Sequence, residues 1–129
     1  MQMTSLNQNE LEALRILWEQ GPSKPAAIQA RFSWPIENAT LRSVLVNLVA
    51  KRHARRTLQG KAFFYEAKAT KTTLLPHMMR TLERVFAGGS RHALLAQLVE
   101  TGDIKAEDLK LLRQMADGKA PTQTKKRKT

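Results

Sequence analysis

Cysteine is absent from this 129-residue chain. That excludes disulfides, thiolate metal sites and cysteine nucleophiles, and it suits a reducing compartment. No apolar run approaches the roughly 18 residues a membrane helix needs, so neither a transmembrane span nor stable membrane association is expected. The opening MQMTSLNQNE has no basic stretch leading into an apolar one, so no secretory signal is expected. Together these absences predict a cytoplasmic protein. There is no glycine-rich phosphate loop, no HExxH motif and no recognisable acid/base pair. Serine, threonine and histidine occur, but not at a spacing that suggests a triad. His53, His77 and His92 fall one to a segment and read as satisfied or exposed histidines rather than metal ligands. An enzyme is therefore not expected, and no metal or other cofactor.

Acidic residues are scarce. Eleven Asp and Glu face 22 Lys and Arg, for a net charge of +11 and a pI near 10.6. This balance favours a polyanionic partner: nucleic acid, or less often an anionic membrane surface. The excess is localised. Residues 36–71 hold eight basic side chains against Glu37 and Glu66, and residues 119–129 hold five with no acid, whereas 90–118 is close to neutral. The stretch 118–129, GKAPTQTKKRKT, has no apolar periodicity and reads as a disordered basic tail. It serves either solubility or non-specific attraction to DNA.

A hydrophobic content of 42% suffices for a core, and the length suits one domain or a small domain with an appended helical piece. Asn7 and Glu10 have capping-box spacing, which predicts a helix from about Gln8 with Leu11, Leu14, Leu17 and Trp18 on one face. Gly21-Pro22 ends it. Ser23 is a candidate cap for a short second helix with Pro25 in its first turn, running to about 33–35. Asn38 is a candidate cap for a third. Its apolar stripe is the clearest in the chain: Leu41, Val44, Leu45, Leu48 and Val49. The other side of that third helix carries Ala39, Thr40, Ser43 and Asn47, flanked by Arg42 and Lys51. Such small polar side chains allow close approach of a helix and can read base edges; they also fit a plain exposed face of low charge.

Two strand-like runs follow, Arg55-Arg56-Thr57-Leu58 and Ala62-Phe63-Phe64-Tyr65-Glu66, joined through Gly60, which suits a positive-φ hairpin position. Two strands alone are marginal, so the hairpin must lean on the helices, with Phe63 and Tyr65 facing inward. Three helices and a hairpin make the order of a winged helix-turn-helix. In it the third helix enters the major groove, and Arg52, Arg55, Arg56 and Lys61 are placed for phosphates. Residues 72–117 read as helical. A stripe over 73–87 includes Leu75, Met79, Leu82 and Phe86, with Pro76 tolerated if the helix starts just before it. Gly88-Gly89 ends that helix and Ser90 caps the next, which carries Leu94, Leu95 and Leu98. A last helix over 106–116 carries Leu109, Leu112 and Met115. These helices cannot close a core alone. They ask for a second copy, or else they fold back on residues 1–71 of the same chain.

The stretches ELEALRILWEQGP, NATLRSVLVNLVAKR, GKAFFYEA, RVFAGGSRHALLAQLVE and DIKAEDLKLLRQM, in this order, resemble the penicillinase-repressor family of bacterial transcription regulators. The resemblance implies a mainly α fold with a small β-hairpin: a winged-helix DNA-binding domain over 1–71 and a helical dimerisation domain over 72–117. It implies a homodimeric repressor of a palindromic operator in double-stranded DNA; a less specific, architectural DNA-binding protein is the alternative. The base-reading positions carry over to Thr40, Ser43 and Asn47. Ala39 and Asn47 stand where the family often has a basic residue, and Arg52 stands where it commonly has glycine before the wing. In antibiotic-resistance members a membrane sensor-protease cuts the dimerisation domain, and the matching bond here is Gln97-Leu98. Copper-responsive members use a C-terminal cysteine motif that this chain lacks.

Overall fold

The computed structural model describes residues 6–118; most of the basic tail expected over 118–129 lies outside them. The chain divides into two compact units, Met1–Met79 and Arg80–Thr129.

The first unit opens with α1 (Gln8–Gln20), capped as its sequence predicts: the Asn7 side chain accepts from the Glu10 N–H, and the Glu10 carboxylate accepts from the Asn7 N–H. Gly21, at φ 80°, closes the helix by donating to Leu17. α2 (Pro25–Ala30) is shorter than expected and takes Lys24, not Ser23, as its N-cap. Ser23 is otherwise engaged. Its hydroxyl donates to the Gly21 carbonyl, and its backbone exchanges hydrogen bonds of 2.9 and 2.8 Å with Tyr65. α3 (Asn38–Ala50) starts behind Glu37 without a side-chain cap. Asn38 is already helical, and its side chain accepts from the Arg42 guanidinium at 2.9 Å instead of capping.

β1 (Ala54–Gln59) and β2 (Ala62–Ala67) form an antiparallel hairpin in the register Arg56↔Tyr65 and Leu58↔Phe63. Gly60 opens its two-residue turn at φ 65°, a value that favours glycine. Tyr65 is buried as expected, but Phe63 is 42% exposed. Both lie on one face; Phe63 is nearer the turn, beyond the reach of the helices, and its ring is covered by Arg56 at 4.1 Å. The core is built from Leu14, Ile16 and Leu17 of α1, Ile28 of α2, and Leu41, Val44, Leu45 and Leu48 of α3, with Ala54 and Tyr65 from the hairpin. It also takes Leu74 from α4 (Lys71–Ala87), with Met78 packed against it. The Trp18 indole donates to the Ala69 carbonyl at 2.8 Å, tying α1 to the segment that leads into α4.

α4 begins at Lys71, earlier than the Pro76 rule allowed, so Pro76 stands inside the helix. Pro76 lacks the N–H that would have donated to the Thr72 carbonyl, a loss confined to the second turn of the helix. Threonines gather at that start: the Thr70 hydroxyl accepts from the Thr73 N–H at 3.2 Å. In the second unit, Gly88 and Gly89 have φ 59° and 90°, and the Gly89 N–H donates to Glu83. α5 (Arg91–Glu100) is capped by Ser90, as expected. α6 (Ala106–Ala116) has the bounds its sequence predicts, and the Asp108 carboxylate accepts from the Lys105 N–H. No helix among the described residues is long and apolar enough to cross a membrane.

Candidate nucleic-acid interface

α3 has one buried and one open side. Leu41, Val44, Leu45 and Leu48 are buried, while Thr40, Arg42, Ser43, Val46 and Asn47 are exposed. At 100° per residue, Thr40 and Asn47 mark one edge of the open arc and Arg42 the other. Ala39, Ser43 and Val46 fall between them. The middle of the arc therefore carries small or apolar side chains, with the Ser43 hydroxyl its one polar group, and Thr40, Asn47 and the Arg42 charge stand at its margins. Val46, 58% exposed, was not expected at this face. It breaks the polar pattern by which the face was read, and only its angular position reveals it.

The turn from α2 into α3 is fixed by buried polar groups. Glu12 accepts from the Ser33 N–H and hydroxyl, both at 2.8 Å, and from Arg15 at 2.7 Å. The Arg15 guanidinium, followed by the Ser33 bonds, holds the Glu12 carboxyl down at about 2. Arg15 is raised in turn by Glu12 and Glu19. The Gln29 amide donates to the Ile36 carbonyl at 2.9 Å, completing the turn. At the other end of α3 the Lys51 ammonium donates to both oxygens of Glu10, each at 2.9 Å. Lys51, expected among the phosphate contacts, thus has a buried carboxylate partner on α1 and anchors α3.

The hairpin presents its arginines on opposite faces. Arg55 pairs with Glu66 across the strands at 2.9 Å. Arg56 caps the Phe63 ring and, with Val46, Val49, Ala50 and Tyr65, lines a recess of about 290 Å³ between α3 and the hairpin. Arg56 is thus the basic residue that the structure brings to the open side of α3. Lys61 is exposed in the turn. Arg52 stands apart at the opposite end of the hairpin, about 20 Å from that turn at the usual rise of a strand. On the far face of the hairpin Lys24 lies over Phe64, and with Arg31 it lines a second recess. Neither cation was singled out in the sequence.

The second unit buries little within one chain. Leu94 is 7% exposed and Glu83, held by Arg91 at 2.5 Å, is also buried. Val85, Phe86, Leu95, Val99, Leu109, Leu111, Leu112 and Met115 are exposed, as are Leu75 and Leu82 on α4, while Met79 and Leu98 are half-buried. Leu94 therefore belongs to the interior of its own chain and is not part of the exposed apolar face it was expected to join. The Gln97 side chain is exposed and donates to the Phe86 carbonyl at 2.8 Å.

A family model described as Penicillinase repressor matches residues 6–118. No curated protein matches. The chain is similar to a structure of Bordetella bronchiseptica BpsR, whose DNA binding is regulated by 6-hydroxynicotinic acid. That match has 19% identity and a TM-score of 0.49, over 88% of this chain and 77% of that one. It is similar also to a MarR-family transcriptional regulator from Silicibacter pomeroyi, at 24% identity and a TM-score of 0.46, over 81% and 78% of the two chains.

Proposed function

The chain belongs to the penicillinase repressor family, a family of winged-helix transcriptional regulators, and from that premise we propose that it is a dimeric, cytoplasmic repressor of an inverted-repeat operator. The observation that carries this reading is the open face of α3: exposed along its length, with small or apolar side chains and the Ser43 hydroxyl in the middle, hydrogen-bonding groups and charge at the edges, and fixed at both ends by Glu10 and Glu12. A rigid helix with such a face fits a major groove. In this proposal Thr40, Ser43, Val46 and Asn47 meet base edges. Arg42, Arg56 and Lys61 meet phosphates, with Arg55 joining them at the expense of its pair with Glu66. Phosphate contacts set position, and the contacts of α3 set sequence.

The proposed partner surface is the exposed apolar face of Leu75, Met79, Leu82 and Phe86 on α4, Leu95 and Leu98 on α5, and Leu109 and Leu112 on α6. Apolar area this extensive is uncommon on a monomer and marks an interaction site. A second copy is the simplest complement. A cut at Gln97-Leu98, in the last turn of α5, would dismantle that surface; a membrane sensor-protease is the partner the family resemblance implies for such a cut. Titration of a palindromic operator and of random DNA at one salt concentration tests the reading. Specific binding should exceed non-specific binding by about 10³-fold or more. A ratio near one would favour the architectural alternative, to which the net charge of +11 lends itself.

A further inference from the structure

The open end of the hairpin carries a group of residues away from the open face of α3 and from the hairpin turn. Arg52 has φ 68° and is the one non-glycine residue with positive φ among the described residues. Glycine would occupy that conformation without strain; here Arg52 is the left-handed residue that closes α3, its N–H donating to Val49 at 3.0 Å and the His53 N–H to Leu48 at 2.9 Å. Arg52, His53, Lys68, Thr73 and His77 line one recess of about 140 Å³. No carboxylate lines it. Three other cations of this unit have carboxylate partners: Arg15 has Glu12 and Glu19, Lys51 has Glu10, and Arg55 has Glu66. Arg52 and Lys68 have neither an ion pair nor a hydrogen bond from their side chains among the described residues.

The backbone that carries these cations is fixed. The Lys68 and Ala69 N–H groups both donate to the His53 carbonyl, at 2.7 and 3.0 Å, and the His53 N–H donates to Leu48 at 2.9 Å. A guanidinium and an ammonium held beside one recess, without a counter-charge, match a phosphate or carboxylate. The volume admits a small oxyanion and is below that of an ordinary drug-sized pocket. We infer that the recess at the open end of the hairpin is an oxyanion site, clamped by Arg52 and Lys68. The oxyanion is carried either by a small free ligand or by the DNA backbone.

Titration of the full chain with inorganic phosphate, without DNA, followed by the amide resonances of His53, Lys68 and Ala69, separates these sources. Arg52→Gly keeps the fold, because glycine accepts φ 68°, and it removes one clamp; Lys68→Gln removes the other. Saturable shifts in the unaltered chain and in the control Lys61→Gln, weakened roughly tenfold or more in each clamp variant, establish a free-ligand site. Absence of saturation, together with a fall of about one in the DNA salt slope for each clamp variant, assigns the oxyanion to the DNA backbone. Phosphate binding that ignores both variants, or no change in either experiment, overturns the site. The phosphate titration needs no DNA, so its failure leaves the proposed operator reading untouched.

Discussion

Single residues divide into those that hold the winged helix and those that are free to read. Lys51 holds. Its partner Glu10 is buried, so Lys51→Ala leaves a carboxylate without its cation and should cost roughly 2–4 kcal/mol in denaturant unfolding. Operator affinity of the folded fraction should change little. Glu12 holds too. Its pKa is lowered on folding from 4.5 to about 2, so its contribution is complete above about pH 5 and fades as pH falls through 4.5 toward 2. Glu12→Gln should flatten that acid limb by about 1–2 kcal/mol, after allowance for the exposed side of Arg15. An unchanged limb would mean that the Ser33 turn does not depend on this carboxylate. Asn47 is free, and Asn47→Ala should cost roughly 1–3 kcal/mol on the preferred site and less on random DNA. Equal losses on both would make it a backbone contact. The capping box of Asn7 and Glu10 was legible because it is local. The second partner of Glu10, 41 residues on, has no local signature, and Lys51 consequently read as one more cation beside α3.

Elements were legible where periodicity and caps agreed. α1, α5 and α6 start where their sequences indicate. α2 and α3 also exist as expected, but Ser23 and Asn38 are drawn off to Gly21 and Arg42, since a capping side chain serves whichever partner the fold brings nearest. In the hairpin, alternation assigned Phe63 and Tyr65 to one face correctly. Alternation carries no information on how far along a strand the core extends, and that is why Phe63 was expected inside. The hairpin's proposed work is electrostatic. Arg55→Ala with Arg56→Ala should weaken operator and random DNA alike and reduce the salt slope by up to about two. Because Arg55 must leave Glu66, its share should be the smaller, which the single variants would reveal. A slope that did not change would remove the hairpin from the DNA.

At the scale of the molecule, the first unit has its own core, whereas the described residues of the second bury only Leu94 and Glu83. A fragment ending at Met79 should therefore fold cooperatively. One ending at Lys71 loses Leu74, 3% exposed, along with Met78, and should be less stable by about 2–4 kcal/mol. The boundary expected near 71 marks the end of the winged-helix elements, and the packing of Leu74 and Met78 carries their core into α4. In the proposed function the C-terminal helices act by joining two DNA-binding units, so that the second half-site contact becomes effectively intramolecular. The decisive measurement is operator titration of Leu112→Asp, with sedimentation on the same sample. Leu112 is 52% exposed and α6 buries no residue within one chain, so the charge should spare the fold of a single chain. We predict a folded monomer whose operator affinity has fallen by about 10²–10⁴, toward that of one half-site. A monomer that kept full operator affinity would contradict the account.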